Sequence, residues 1–211
     1  MPDIDRFIQG FRAFQEDYFG QDTSRFDALQ QGQSPKTMVI GCSDSRVDPA
    51  ILTNCGPGDL FTVRNVANLV PPFESDSGRH GVSAALEFAV CYLEIEHIVV
   101  LGHSQCGGIK ALMEGINVAG GTGFIERWMS IAAPVRDRVV QEFNGRELAF
   151  LQCAAEQAAI LLSLENLHSF PFVEERMTAG KLALHGWYFN IAEGCLSEYD
   201  NAERRFEPLG A

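Results

Sequence analysis

The sequence predicts an α/β fold: a mainly parallel central β-sheet flanked by helices, preceded by an N-terminal helical arm. Three observations predict it. Short, apolar, β-branched runs bounded by polar loops recur at residues 37–41 (TMVIG), 60–63 (LFTV) and 97–102 (HIVVLG), the pattern of strands buried on both faces of a parallel sheet. Helical stretches separate these runs, which leaves room for right-handed crossovers. The 211 residues are 46% apolar and 21% charged, the balance of a globular chain rather than a disordered one. At this size roughly 70% of the unfolded surface is buried on folding, so a single domain spanning 1–211 suffices.

The elements follow in order. Residues 1–31 read as a helical arm, because Ile4, Phe7, Ile8, Phe11, Phe14 and Tyr18 recur at three- and four-residue spacing, and Phe26 and Leu29 continue after a break at Gly20. Its aromatic stripe suits either the chain's own core or a partner subunit. Residues 37–41 and 60–63 are the first two strands. Residues 81–93 form an apolar, Ala-rich helix that leads to the third strand at 97–102, and another helix spans 109–113 after Gly107 and Gly108. Residues 124–133 are helical until Pro134, and 146–168 form a long helix with Glu156 and Glu165 on its solvated face. Residues 181–191 alternate, with Leu182, Leu184, Gly186, Tyr188 and Asn190 on one face, as a fourth strand. The loops 71–78 and 115–123 are the segments expected to be mobile; the glycines of the second lack the lysine and the preceding strand of a phosphate loop.

Charge and cysteine usage narrow the function classes. With 16 Lys+Arg against 28 Asp+Glu the formal charge is −12, which argues against nucleic-acid partners and against attraction to anionic membranes. The uninterrupted apolar runs are too short to insert across a bilayer. Six cysteines are too few for a disulfide scaffold, and the acidic start MPDID is no signal peptide. The expectation is a reducing, cytoplasmic setting in which cysteines serve as thiols, ligands or nucleophiles.

Two dense polar clusters each follow an apolar run: Cys42-Ser-Asp44-Ser-Arg46 after TMVIG, and His103-Ser-Gln-Cys106-Gly-Gly after HIVVLG. Sites in open parallel sheets form beyond the carboxyl ends of strands, so neighbouring strands would bring both clusters to one crevice. Two thiolates and an imidazole suit Zn²⁺ with its fourth position open. Asp44 could fill that position or be held by the fork of Arg46. Two other readings stand beside this one: buried thiols acting as small hydrophobes, and a nucleophilic Cys42 with His103 as its base. Cys55, Cys91, Cys153 and Cys195 read as fillers, and His80, His97, His168 and His185 lack a partner at ligand spacing.

The strings GCSDSRVDPA (41–50), FTVRNVANLVPP (61–72) and VVLGHSQCGGIKAL (99–112), together with SLENLHSFPFV (163–173) and LALHGWYFNI (182–191), resemble the β-class carbonic anhydrases. That resemblance implies one Zn²⁺ per subunit on Cys42, His103 and Cys106. It implies reversible hydration of CO₂ to bicarbonate by a zinc-bound hydroxide that Asp44 and Arg46 orient, with Asp44 as a fourth ligand in a closed state. Gln33 and Phe61 match the plant-type subgroup, whose pattern has Tyr where Phe88 stands. Val39 replaces the Trp of a bicarbonate-regulated design, which implies that this regulatory site is absent although Arg64 is present. Phe61, Val66 and Phe88 would line the substrate pocket, and Gln33 with a backbone N–H of Gly107 or Gly108 would hold oxygens. The resemblance also implies a homodimer or multiple of dimers, with the arm embracing the partner and Gln33 and Phe61 entering its site. The competing functions are a CS₂ or COS hydrolase on the same ligands, and a structural zinc subunit closed by Asp44.

Overall fold

The computed structural model describes residues 2–76, 78–115 and 121–210; most of the glycine-rich loop expected to be mobile, and Ser77 of the other loop, lie outside these. The chain divides into an N-terminal unit ending at Ser34 and a second unit from Pro35 onward.

In the N-terminal unit, α1 (Pro2–Phe19) stops at Gly20 and α2 (Ser24–Leu29) folds back on it. The hinge is aromatic: Phe26 lies 4.6 Å from Phe19 and 5.7 Å from both Phe14 and Tyr18, centroid to centroid. Ile4, Phe7, Ile8 and Phe11 stay about half exposed along α1, so the stripe is only partly used within this unit.

The second unit is built on a six-stranded sheet. Its strands are β1 (Thr37–Cys42), β2 (Leu60–Asn65), β3 (His97–His103), β4 (Ala183–Asn190), β5 (Cys195–Asp200) and β6 (Arg205–Pro208), in the order β2-β1-β3-β4-β5-β6. The first four are mutually parallel and the last two antiparallel. The four expected strands are therefore present and neighbours, while β5 and β6 extend the sheet beyond them. The sheet buries Met38, Ile40, Ile98 and Val100 on one face, against Leu86, Ile160 and Phe170, and Val39, Val99 and Leu101 on the other, beside Trp187, Phe189 and Leu196.

The helices are α3 (Pro49–Leu52), α4 (Gly81–Glu87), α5 (Gly107–Glu114), α6 (Phe124–Met129), α7 (Ala133–Glu142), α8 (Leu148–His168) and α9 (Pro171–Thr178). Three expectations need correcting. The helix over 81–93 is α-helical only to Glu87; Phe88–Tyr92 forms a wider turn closed by the Leu93 N–H on the Phe88 carbonyl at 3.0 Å. Pro134 opens α7 instead of ending a helix, because proline at a helix's first positions loses no hydrogen bond. The long helix α8 has the length and composition to cross a membrane, yet it packs on β3 and β4, burying Ala155, Glu156, Ala159, Ile160, Ser163 and Leu167. Glu156 is thus 3% exposed, not on a solvated face; Glu165 is exposed as expected.

Candidate metal centre

β1 and β3 run parallel side by side, with Gly41 opposite Leu101, so the segments that follow them emerge at the same edge. Cys42 ends β1, His103 ends β3, and Cys106 caps the N-terminus of α5. The turn between His103 and Cys106 needs a left-handed residue, and Gln105 takes it at φ 58°. All three side chains are buried, and their ligand atoms lie within 4.8 Å of one another. The two Sγ atoms are 4.0 Å apart.

The imidazole is oriented by its own neighbour. His103 Nδ1 lies 2.8 Å from the Ser104 carbonyl, which can only accept; the proton therefore sits on Nδ1 and the lone pair of Nε2 points at the thiols. Among the described residues that buried Nε2 has no hydrogen-bond partner. An orphaned buried nitrogen facing two thiols is costly by itself and is what a soft cation would satisfy. The donor set of two sulfurs and one imidazole, with the other ring nitrogen tied to a carbonyl, fits zinc.

The sulfurs are embedded in donors. The Cys106 thiol, hydrogen-bonded to Cys42, holds the Cys42 thiol well below its ordinary range against burial, and the backbone N–H groups of Asp44 and Ala67 add to the effect. Cys106 is pushed far up by serving as that donor and by burial. His103 is raised, the pull of Cys42, the Ser104 carbonyl and Asp44 exceeding the burial that acts alone as its largest opposing influence.

Asp44 is committed to Arg46. Its Oδ1 accepts from Arg46 Nε at 2.9 Å and from the Arg46 backbone N–H at 3.0 Å; its Oδ2 accepts from Nη2 at 2.7 Å. The same Nη2 reaches the Gln105 carbonyl at 3.0 Å, tying the first cluster to the second. The Arg46 side chain is the main cause holding the Asp44 carboxyl well below the ordinary range. Asp44 Oδ2 still lies 3.9 Å from His103 Nε2, so the carboxylate borders the cluster without entering it.

Arg64, on β2, holds the loop that carries this pair. It donates to the carbonyls of Cys42 (2.9 Å), Asp44 (2.7 Å) and Val47 (3.1 Å) and pairs with Asp48 at 2.8 Å; Asp48 in turn caps α3. A guanidinium so engaged acts as a clamp, not as an open anion site.

The proposed pocket residues divide. Val66 and Gly108 lie beside the thiols: a Cβ on Gly108 would stand 2.7 Å from Val66 Cγ1, and Val66 packs on the cluster that contains Cys42 and Cys106. The Gly108 N–H is turned on Cys106 Sγ. Phe61 and Phe88 stack on each other at 5.9 Å, but Phe61 sits opposite Met38, four residues from the Cys42 level, roughly 13 Å along the strand. Gln33 belongs to the N-terminal unit and is exposed.

Several groups were misjudged or missed. Cys91 and Cys153 are exposed residues, not core fillers, although the Cys153 sulfur lies 3.6 Å from the Tyr188 hydroxyl. His97 and His185, expected to have no Cys or carboxylate at ligand spacing, meet across β3 and β4 at 3.2 Å, and His185 is held by Glu198 at 2.6 Å; His80 pairs with Asp76 at 2.6 Å. Glu156, expected on a solvated face, is instead buried beside Cys106. Its signal was the stripe 156, 160, 163, 167, whose spacing of four, three and four marks one face of a helix.

A carbonic anhydrase family model matches residues 37–196. Over 196 residues, 90% of this chain and 74% of the relative, the sequence is 40% identical to beta carbonic anhydrase 3 of Arabidopsis thaliana. The chain belongs to the β-class carbonic anhydrases. It is also 36% identical, over 96% of its length and 73% of the relative's, to a carbonic anhydrase of Synechocystis. The enzyme superposes on the solved β-carbonic anhydrase CcaA with a TM-score of 0.92 at 35% identity, covering 100% of this chain and 94% of that one. A tetrameric β-carbonic anhydrase of Sordaria macrospora gives 0.82 at 27% identity, covering 100% and 98%. This carbonic anhydrase therefore catalyses the hydration of CO₂ on a β-class fold.

Proposed function

We propose that CO₂ hydration here takes place at a zinc ion held by Cys42, His103 and Cys106, with Asp44 and Arg46 as the catalytic pair. The observation that carries this reading is the unpartnered, buried Nε2 of His103 facing two thiols while Asp44 is occupied by Arg46, an arrangement that leaves a fourth position for water. Bound zinc supplies the Lewis acidity that brings the pKa of a water towards neutral.

The protein's own groups do the rest. Asp44, kept ionised by Arg46, is an acceptor at every working pH. It can take a hydrogen bond from the attacking oxygen and so direct that oxygen's lone pair at the substrate carbon. Val66 offers CO₂, which is small and apolar, a wall of matching character, and the Gly107 N–H at the start of α5 offers a donor to the oxygen that gains charge. One C–O bond forms, bicarbonate leaves, and the proton released by water passes to buffer.

The plant-type pattern of Gln33 and Phe61 joins this reading through assembly. Phe61 lies too far along β2 to line its own subunit's thiols and Phe88 stacks on it, so in a dimer both would serve the neighbour's site. The exposed face of α1 is the surface offered to that partner, and six free thiols suit a reducing compartment such as the cytoplasm. Removal of residues 1–34 should lower the sedimenting species from a multimer to smaller forms.

The deciding experiment pairs metal analysis with stopped-flow CO₂ hydration. One zinc per chain, loss of turnover on treatment with dipicolinate and recovery with Zn²⁺ are expected. Full turnover in zinc-free protein would overturn the proposal.

A further inference from the structure

We infer that Glu156, reaching from α8 to the carboxyl end of the sheet, is a positioning residue for Cys106, and that Gln152, one turn earlier, completes the clamp. This rests on the zinc reading above.

Cys106 is the N-cap of α5, and it follows a left-handed residue. Its backbone is fixed from outside. The Cys106 N–H donates to Glu156 Oε1 at 2.9 Å. Gln152 Nε2 donates to the same oxygen at 2.9 Å and to the Cys106 carbonyl at 3.5 Å. The far oxygen, Oε2, accepts the Tyr188 hydroxyl from β4 at 2.9 Å. Residues four apart on one helix thus grip both backbone polar groups of Cys106, and β4 braces the grip.

A carboxyl group nearly out of solvent contact is expensive unless its acceptor sites are filled. Here each donor has its own origin: the candidate ligand's backbone, the same helix and the neighbouring strand. A core position that needed only bulk would be met by Leu or Met. The position calls for a side chain that accepts on one arm and reaches a hydroxyl with the other, and Cys106 is where the first arm ends. His103 has a comparable anchor in the Ser104 carbonyl. The convergence of the two sulfurs at 4.0 Å is therefore set from α8 as well as from the two loops.

The test compares parent, Glu156→Gln, Glu156→Ala and Gln152→Ala holoenzymes. Zinc content of the parent comes first: a parent that binds no zinc removes the zinc reading itself, whereas a zinc-loaded parent puts this inference alone at stake. The readouts are the rate of zinc loss to a colorimetric chelator and the thiolate-to-metal charge-transfer band of the cobalt(II)-substituted forms. Glu156→Ala should lose zinc on the order of 10- to 100-fold faster, the usual effect of removing a ligand's outer partner, with a shifted band. Glu156→Gln should stay close to the parent, because its amide oxygen accepts the same two N–H groups and its NH₂ donates to the Tyr188 hydroxyl. Parent-like zinc loss in Glu156→Ala would overturn the inference. So would a Glu156→Gln as fast as Glu156→Ala, since charge and not position would then be what matters. Should Glu156→Ala fail to fold, Gln152→Ala decides: faster loss supports the clamp, and a parent-like rate overturns it.

Discussion

The ring of His103 shows how little sequence is needed to prepare a ligand. One carbonyl, from the very next residue, selects the tautomer and leaves the other nitrogen facing the thiols. Asp44 shows the converse, a carboxylate withheld from the cluster by a residue two positions on. Asp44→Asn should keep its metal while CO₂ turnover falls by about 10²-fold or more, the scale of a lost proton-handling group; unchanged turnover would remove Asp44 from the mechanism. The pair also has a pH signature. Because Arg46 depresses the folded-state pKa of Asp44 below the unfolded value near 3.9, its stabilisation is fully present above about pH 4 and is lost as pH falls through the depressed value. The stability difference between parent and Asp44→Asn, from urea melts, should therefore be largest above about pH 5 and shrink towards pH 2. Arg64→Ala, which frees three carbonyls and Asp48, should cost about 2 kcal/mol and be read in the same melts.

Among elements, α5 comes close to the segment after β2. Gly108 faces Val66 and Ala67, where an added Cβ would stand 2.7 and 3.2 Å from side-chain atoms. Gly108→Ala should lower stability by about 1–3 kcal/mol, the cost of overpacking, measured by thermal unfolding with and without zinc. This contact was not legible in the sequence, because it joins residues more than forty positions apart. What was legible was local: β1, β3 and the clusters that follow them, since a β-branched run and an abrupt polar turn are both short-range patterns. β5 and β6 escaped because CLSEYD and RFEP are half-buried or exposed throughout, and antiparallel edge strands carry no continuous apolar run. Glu156 escaped for a related reason: its identity says surface, its position on the helix says core, and its partners lie 50 and 32 residues away.

For the molecule as a whole, the formal charge of −12 is a surface property, while the reaction begins with a neutral substrate. CO₂ feels no monopole, so its approach is neither steered nor opposed. The second-order rate constant for CO₂ hydration should change by less than about twofold between low and high concentrations of a salt whose anion does not bind metals, although ordinary surface pairs are screened over that range. A strong salt dependence would point to an assembly that salt dissociates, and sedimentation in the same buffers would reveal it.

β1 and β3 are each flanked by strands on both sides, and such interior strands are the last part of a protein to open. Cys42 and His103 are the terminal residues of those two strands. The candidate centre is therefore anchored to interior strands of the sheet. Over a protein's working life, the side chains of that centre should stay in register through the breathing of outer elements.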